Sequence, residues 1–268
     1  MTIAARVVPG GYNHHVEFPN LLRQHRIRGH LSQVDLALRA DTTQRHLSFI
    51  ESGRSKPGRA MVLRLAESLD LSLRERNDLL LAAGYAPAYA ETPWTAQDLA
   101  PVRSAIEHIL AGHEPYPAVI VDRNGDIVAA NSGLAVVTED AAPNLVGIGR
   151  NAYRLALHPA GMAPRIVNFT DWAQHVLNGT RHLPRLHAEL RGYVPGLDPS
   201  DDYLGFAVPL RLRTSLGELH LMTTVTTFAT AIDITLAELR LEAFLPADAV
   251  TAEALRTVSE SRRPALTS

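Results

Sequence analysis

The chain contains no cysteine among its 268 residues. This absence excludes disulfide bonds and thiolate metal sites, and it suits a cytoplasmic protein. Long hydrophobic runs are also missing, since no stretch approaches the roughly 20 apolar residues that span a bilayer. The first residues, MTIAARVVPGGYNHH, lack the apolar core of a signal peptide. We therefore expect a cytoplasmic protein that has no membrane partner.

Signatures of catalysis are absent as well. The sequence has no GxSxG elbow, no Walker loop and no complete GxGxxG fingerprint after a strand. Twelve histidines are present, but they form neither an HExxH motif nor a pair flanked by a carboxylate. We predict that the protein is not an enzyme, that it has no catalytic or metal-binding residues and that it needs no cofactor.

Charge is unevenly distributed along the chain. Residues 1–84 carry 12 lysines and arginines against 8 acidic residues, whereas the remainder carries 14 against 20. A basic first third and an acidic remainder indicate that a polyanionic partner would bind near the N-terminus. The length of the chain favours two domains.

Five short helices are predicted between residues 18 and 83 from apolar spacing and capping residues. Ser32, Thr42 and Ser72 are the predicted N-caps of the second, third and fifth helices. The second and third lie in the stretch LSQVDLALRADTTQRHLSFIESG and are joined by a tight turn, which is typical of a helix-turn-helix.

The third helix opens with polar residues that can read base edges. Gln pairs bidentately with adenine and Arg with guanine, and each pair contributes roughly 1–3 kcal/mol of discrimination. Arg54 and Lys56 follow this helix and suit phosphates, as does Gln33 at the start of the second helix. The residues predicted to contact double-stranded DNA are Gln33, Thr43, Gln44, Arg45, Ser48, Arg54 and Lys56. An ordinary helical bundle with a solvated polar face is the alternative.

The order of these elements resembles the Xre or phage-repressor type of helix-turn-helix. The resemblance is carried by Ser32-Gln33, Leu36-Ala37, Thr42 to Arg45, and Glu51-Ser52-Gly53. It implies a buried ion pair between Arg26 and Glu51 that joins the first helix to the recognition helix. The turn position that usually holds Gly is occupied here by Asp41, which tolerates left-handed backbone better than most residues.

The second half of the chain has a different pattern. PAVIVDRNGDIVAAN reads as a hairpin with a two-residue turn at Asn124-Gly125. Three helical segments follow, and then three strand-like runs, LGFAVPLRLRT, ELHLMTTVTTF and AELRLEAFLP. The pattern predicts an all-α, five-helix domain followed by an α+β domain with an antiparallel sheet of about five strands. The hairpin, with an Asn at the end of its second strand, resembles a PAS-like sensor domain, so the fold class expected for the second domain is PAS-like.

The whole chain resembles the MmyB-like regulators, in which an Xre-type reader is fused to a PAS-like ligand-binding domain. The segments HEPYPAVIVDRNGDIVAAN, NAYRLALHP and LAELRLEAFLPAD carry this resemblance. It implies a transcription regulator whose second domain holds a small lipophilic molecule, with a fatty acid as the leading candidate. The expected divisions are a flexible terminus at 1–17, a DNA-binding domain at 18–84, a linker at 85–97, a ligand-binding domain at 98–250 and a C-terminal helix or tail at 251–268.

A PAS-like sheet encloses an apolar cavity that is roofed by helices, and such cavities have few polar anchors. Arg154 and His158 are the predicted anchors for a carboxylate. The predicted ligand-binding residues are Tyr153, Arg154, Leu157, His158, Phe169, Trp172, Val176, Phe206, Val208 and Leu221. The alternative for each apolar member of this set is plain core packing.

Two functions fit the second domain. It is either a sensor whose small-molecule ligand modulates DNA binding, or a ligand-free module for dimerisation or protein interaction. A cavity of several hundred Å³ would favour the sensor, whereas a filled core with an exposed apolar patch would favour the module. In both cases we expect a homodimer, because one helix-turn-helix reads only a few base pairs.

Overall fold

The computed structural model describes residues 17–197, 208–228 and 231–262. The predicted flexible terminus therefore lies almost entirely outside the described residues. The chain divides into two compact units, Met1–Glu91 with Ile232–Ile234, and Thr92–Ala231 with Thr235–Ser268. Among the described residues, the helices are all too short or too polar to cross a bilayer.

The first unit contains the five predicted helices. They are α1 (Phe18–Arg28), α2 (Gln33–Arg39), α3 (Gln44–Glu51), α4 (Arg59–Ser68) and α5 (Leu73–Ala82). Apolar side chains from all five helices meet in one core, in which the fully buried members include Leu22, Leu36, Leu47, Ile50, Leu65, Leu79 and Leu80. This core fixes the angle at which α3 is held against α1 and α2.

Side-chain caps set the boundaries of these helices. Ser32 and Ser72 are N-caps, as the sequence predicted, and each forms a reciprocal capping box with the acidic residue three positions later. The predicted cap of the third helix was wrong by one residue, since Thr43 accepts the hydrogen bond from the His46 amide at 3.1 Å. Thr42 still belongs to the turn, because its amide donates to the carbonyl of Ala37.

Asp41 occupies the turn between α2 and α3 in left-handed backbone, with φ of +48°. This is the conformation that the sequence pattern required at a position where Gly is usual. A short polar side chain such as Asp tolerates it at a modest energetic cost.

The second unit is built on an antiparallel sheet of five strands, as predicted. The strands are β1 (Ala118–Val121), β2 (Ile127–Ala130), β3 (Leu210–Thr214), β4 (Gly217–Thr227) and β5 (Arg240–Pro246). Their spatial order is β2-β1-β5-β4-β3. The last three strands form a meander, and β5 then pairs with β1 at the centre of the sheet.

The connection between β1 and β2 is longer than predicted. Five residues, 122–126, separate the strands, so the expected two-residue turn was wrong. The carboxylate of Asp122 accepts hydrogen bonds from the amides of Asn124 at 2.8 Å and Asp126 at 2.9 Å, which ends the ladder early. Gly125 has φ of +82°, and the ring of Tyr153 lies where a Cβ atom would stand.

Helices cover both faces of this sheet. They are α6 (Ala100–Gly112), α7 (Leu134–Val137), α8 (Ala152–Leu157), α9 (Phe169–Gly179), α10 (Pro184–Tyr193), α11 (Ile234–Ala237) and α12 (Ala249–Arg262). On one face, α6 packs against Leu241 and Ala243 of β5 in a small core. On the other, a larger core includes Trp172 of α9, Phe244 of β5 and Leu255 of α12.

Candidate DNA-reading helix and ligand cavity

The N-terminal end of α3 presents polar side chains to solvent. Thr43, Gln44 and Arg45 are exposed, while Ser48 is half-buried one turn later. The guanidinium of Arg45 lies 5.5 Å from the centroid of the Phe49 ring, four residues along the same helix. This contact supports the long Arg side chain beside the helix tip. The arrangement suits insertion of the tip into a major groove.

A buried ion pair holds α3 to the first helix, as the resemblance implied. Arg26 donates to both carboxylate oxygens of Glu51, at 2.7 and 2.9 Å, and a further nitrogen donates to the carbonyl of Leu31 at 2.8 Å. The two charged side chains are only 11% and 4% exposed. Gln33 also donates to Glu51, at 2.8 Å. One carboxylate therefore connects α1, α2 and α3.

The electrostatics of this cluster favour the ionised pair. Burial by itself would raise the pKa of Glu51, but hydrogen bonds from Arg26 and Gln33 lower that pKa below its ordinary value. The hydrogen bond to Glu51 also raises the pKa of Arg26. Both charges are satisfied within the protein, so the cluster is structural and leaves the tip of α3 free for recognition.

The predicted phosphate contacts have different surroundings. Arg54 and Lys56 are exposed in the segment after α3, and the Lys56 ammonium lies 5.8 Å from the centroid of the Tyr85 ring. The side-chain nitrogen of Gln33 is engaged in the hydrogen bond to the Glu51 carboxylate, so this residue also belongs to the cluster that joins the three helices.

A cavity of about 230 Å³ lies in the second unit, between the sheet and the helices on its more heavily covered face. Its walls are mostly apolar and come from β1, β2, β4, β5 and from α7, α8 and α9. The apolar wall includes Val119, Ile127, Leu134, Val137, Leu155, Met162, Trp172, Val176, Val225 and Phe244. Such a space suits a small lipophilic molecule.

Polar side chains also line the cavity, chiefly from β4 and β5. Arg240 and Glu242 alternate with residues of the opposite face along β5, and Arg240 donates to the Tyr153 hydroxyl at 3.1 Å. Thr223 and His175 complete the polar part of the wall. Burial raises the pKa of Glu242, although Arg240 opposes the shift, and burial lowers the pKa of His175.

Two side chains of the wall each contain a buried polar atom that has no hydrogen-bond partner among the described residues. The two atoms are the indole nitrogen Nε1 of Trp172 and the hydroxyl Oγ1 of Thr223, and both are shielded from solvent. Unpartnered buried polar groups are uncommon in folded proteins because each costs roughly 1–3 kcal/mol.

Comparison with protein families identifies both units. A family model described as the MmyB-like transcription regulator ligand binding domain matches residues 102–258, more than half of the chain. The chain belongs to the MmyB-like transcription regulators. A helix-turn-helix family model matches residues 22–76 of this regulator. It is therefore a DNA-binding helix-turn-helix protein with a small-molecule ligand-binding domain.

Two solved structures are similar to parts of this MmyB-like chain. The restriction-modification controller protein C.AhdI from Aeromonas hydrophila is 31% identical, with coverage of 24% of this chain and 98% of the controller and a TM-score of 0.22. An RNA-binding light-oxygen-voltage receptor is 13% identical, with coverage of 91% of this chain and 64% of the receptor and a TM-score of 0.26. A search of curated proteins found no match.

Only some of the residues that the sequence suggested for ligand binding line the cavity. Tyr153, Trp172 and Val176 line the cavity of the MmyB-like domain. The other apolar candidates among the described residues pack in the larger core without lining the cavity, namely Leu157, Phe169, Val208 and Leu221. Phe206 lies outside the described residues.

The two predicted carboxylate anchors also lie outside the cavity wall. Arg154 makes a bidentate ion pair with Glu189, with distances of 2.6 and 2.8 Å, and the hydrogen bond from Arg154 lowers the pKa of Glu189 to about 2. His158 accepts a hydrogen bond from the Ala160 amide and packs edge-on against the Tyr193 ring, with centroids 4.9 Å apart. Both side chains already have partners in the protein.

Sequence reasoning missed the polar wall formed by Thr223, Arg240 and Glu242. The signal was the alternation in RLEAF, where charged residues recur every second position of a strand. Both faces of β5 are covered, because Leu241 packs against α6 while Glu242 faces the cavity. The predicted sheet residues were Phe206, Val208 and Leu221, and none of them lies on β5.

Proposed function

We propose that Thr43, Gln44, Arg45 and Ser48 contact the bases of double-stranded DNA. Gln33, Arg54 and Lys56 would contact phosphates on either side. The exposed tip of α3 carries this part of the proposal, since its polar side chains are held on a rigid helix and the cluster around Glu51 satisfies its own charges. The side-chain types match the donor and acceptor patterns of the major groove.

A homodimer follows from the size of one recognition surface. A single helix-turn-helix reads only a few base pairs, so a regulator of this type gains specificity by placing two copies on two half-sites. The operator would then be a palindrome or a repeat whose spacing matches the separation of the two recognition helices.

The cavity supports a lipophilic effector. Its volume of about 230 Å³ lies below the range of about 300–1,000 Å³ that is usual for drug-sized ligands. A fatty acid is the candidate that the family implies, and the volume favours a short or medium chain over a long one. The predicted lining residues Tyr153, Trp172 and Val176 would contact its hydrocarbon part.

The ligand would then regulate DNA binding by shifting the population of the protein between two conformations or two dimer geometries. A ligand alters DNA affinity only if it binds one conformation or one dimer geometry better than another. The coupling works in both directions, so operator DNA would change ligand affinity by the same factor.

Native mass spectrometry of the purified full-length protein tests the ligand and the dimer together. We expect a dimer that carries a small lipophilic molecule or takes one up. A dimer that neither carries nor takes up any lipid would instead favour the dimerisation module as the function of the second unit.

DNA selected from a random pool then tests regulation. We expect medium-chain lipids to shift the affinity of the selected operator for the wild-type protein. Val176→Phe, which fills the cavity, should abolish this shift and preserve DNA binding. The control is Val250→Phe at a position that is 76% exposed on α12, and it should behave as wild type. A lipid effect that persists in Val176→Phe would contradict the proposed site.

A further inference from the structure

One aromatic side chain of the recognition helix lies apart from the core of its unit. Phe49 of α3 is half-buried, and it is not among the described side chains that pack against the core of the first unit. A single apolar side chain at a surface needs no explanation by itself. Its place on α3 and the group that it contacts give this one a meaning.

Helical spacing places Phe49 on the outer face of α3. Arg45, Ser48 and Phe49 are separated by intervals of three and four residues, so they lie on one face of the helix. The fully buried Leu47 and Ile50 occupy the opposite face. The ring of Phe49 therefore shares the face of the helix that carries the exposed Arg45.

Phe49 and Arg45 are also in contact. The guanidinium carbon of Arg45 lies 5.5 Å from the centroid of the Phe49 ring, which is less than two base-pair steps of about 3.4 Å each. An Arg side chain can stack on an aromatic ring while the donors of its planar fork remain directed at a base. A guanidinium that reads one base pair would therefore hold the ring beside the neighbouring base pair.

The backbone that carries the ring is fixed on both sides. The carbonyl of Phe49 accepts hydrogen bonds from the amides of Arg54 at 2.8 Å and Ser55 at 3.1 Å. The carboxylate of Glu51 joins the same helix to α1 and α2. A side chain on such a rigid element can recognise a group as small as a methyl.

We propose that Phe49 reads the C5-methyl group of a thymine next to the base that Arg45 reads. An apolar contact with this methyl group distinguishes T·A from the other base pairs in the major groove, and Phe is a side chain that makes it. The preferred operator then contains a T·A base pair beside the G·C base pair of Arg45. This inference rests on the proposed base contacts of α3 and adds one specificity-determining residue to them.

Replacement of thymine by deoxyuridine tests the proposal, because it removes the methyl group and keeps every hydrogen-bonding atom of the base. The full-length wild-type protein first selects an operator from random DNA, and Arg45→Ala locates the base pair whose preference depends on Arg45. Each thymine beside that pair is then replaced in turn by deoxyuridine. We expect one replacement to weaken wild-type binding about fourfold, as for the loss of one buried methyl group. Fluorescence anisotropy measures this ratio.

Variants at position 49 separate the methyl contact from DNA binding in general. Phe49→Ala should bind the thymine and deoxyuridine operators with equal affinity, whereas Phe49→Leu, which keeps an apolar side chain, should retain part of the difference. The control is Leu38→Ala at a position that is 74% exposed on α2, and it should keep the wild-type ratio. Deoxyuridine in the flanking, unselected DNA should have no effect on any of these proteins.

Four results would overturn the inference. A selected operator without a T·A pair beside the Arg45-dependent pair does so, as does wild-type binding that is insensitive to deoxyuridine there. Both remain decisive if Phe49→Ala fails to fold. A methyl effect that persists undiminished in a folded Phe49→Ala protein would assign the contact to another residue. The absence of any preferred sequence, or of any position that depends on Arg45, would remove the proposed base contacts themselves, which distinguishes that failure from an error about Phe49.

Discussion

Buried polar groups are satisfied to different degrees in the Glu51 cluster of the first unit and in the cavity wall of the second. In the helix-turn-helix unit, the Glu51 carboxylate receives hydrogen bonds from Arg26 and Gln33. In the ligand-binding unit, Trp172 and Thr223 line a cavity, and their buried atoms Nε1 and Oγ1 have no partner among the described residues. The first arrangement is complete within the chain. The second leaves two buried polar atoms unsatisfied by any described residue.

This difference teaches what each unit must preserve. A DNA reader needs a fixed angle between helices, so it gains from a charge cluster that joins three of them. A ligand-binding domain keeps space and unsatisfied groups that a ligand can fill, and it loses some stability while empty. The predictions below test this contrast.

The largest expected effect is the loss of the charge cluster in the first unit. Glu51→Ala leaves the Arg26 guanidinium buried without its carboxylate, which should destabilise this unit by about 3–5 kcal/mol. Urea denaturation measures the loss of stability. Hydrogen–deuterium exchange of peptides from residues 18–84, measured separately on the native protein, locates that loss in the first unit. Peptides from the ligand-binding unit should change little.

An exposed ion pair supplies the control for that prediction. Glu218 pairs with Arg211 and His220 at the surface of β4, and Glu218→Ala should leave the urea midpoint of both units nearly unchanged. A Glu51→Ala protein that resembled Glu218→Ala would show that the cluster contributes little to the rigidity of the reader.

Within the reader, base contacts should matter more than phosphate contacts. Arg45→Ala should cost about 1–3 kcal/mol on the selected operator and relax the preference at one base position. Lys56→Ala should weaken binding on all sequences and reduce the slope of log affinity against log salt by about 1. Fluorescence anisotropy on operator and scrambled DNA at several salt concentrations separates the two, and identical profiles would refute the assigned roles.

One chemical change should have opposite effects in the two units. Thr43→Val removes the cap of α3 and should destabilise the reader by about 1 kcal/mol. Thr223→Val removes an unpartnered hydroxyl from a strand and should stabilise the ligand-free second unit by about 1 kcal/mol. Urea denaturation of both variants provides the test. Destabilisation by Thr223→Val would mean that the hydroxyl is satisfied in the ligand-free protein.

The smallest effects concern pH, and their signs should again be opposite. Glu51 has a lowered pKa, so its stabilising contribution is present above the ordinary value of 4.5 and is lost as pH falls through the folded pKa. Glu242 has a raised pKa, so its contribution is present below 4.5 and is lost as pH rises through the folded pKa.

Two Glu→Gln variants measure these signs. From neutral pH to a pH below the folded pKa of Glu51, the destabilisation caused by Glu51→Gln should shrink as the wild-type carboxylate becomes protonated. Glu242→Gln should be more stable than wild type at neutral pH and should lose this advantage in acid. Urea midpoints at the two pH values provide the comparison, and slopes of the same sign in both variants would contradict it.

Local signals explain how much of the fold could be predicted. Capping residues such as Ser32 and Ser72 act on the amides three positions later, so sequence spacing alone located two helix starts. The errors were also local. Thr42 and Thr43 are both good caps, and only the backbone conformation after the turn decides between them. The loop after β1 lengthened because the Asp122 side chain competed with the ladder.

The two candidate sites differed in how many of their residues could be predicted from the sequence. The candidate base-contacting residues at the tip of α3 are contiguous in sequence, so they could be proposed from the sequence, and the structure places Thr43, Gln44 and Arg45 at an exposed helix end. The cavity wall combines α7, α8, α9 and four strands, and two of these strands, β4 and β5, pair in a register that places Val225 opposite Glu242. Spacing along the chain carries no information about such a register unless one face of the strand is exposed.

The sequence by itself determined the reader, its polar helix tip and the antiparallel sheet, since these follow from periodicity, caps and turns within a few residues. Only the tertiary structure decided which face of β5 lines a cavity and that Arg240, Glu242 and Thr223 share its wall. The physical reason is that strand pairing and helix packing join residues far apart in the chain, and both faces of that central strand are covered.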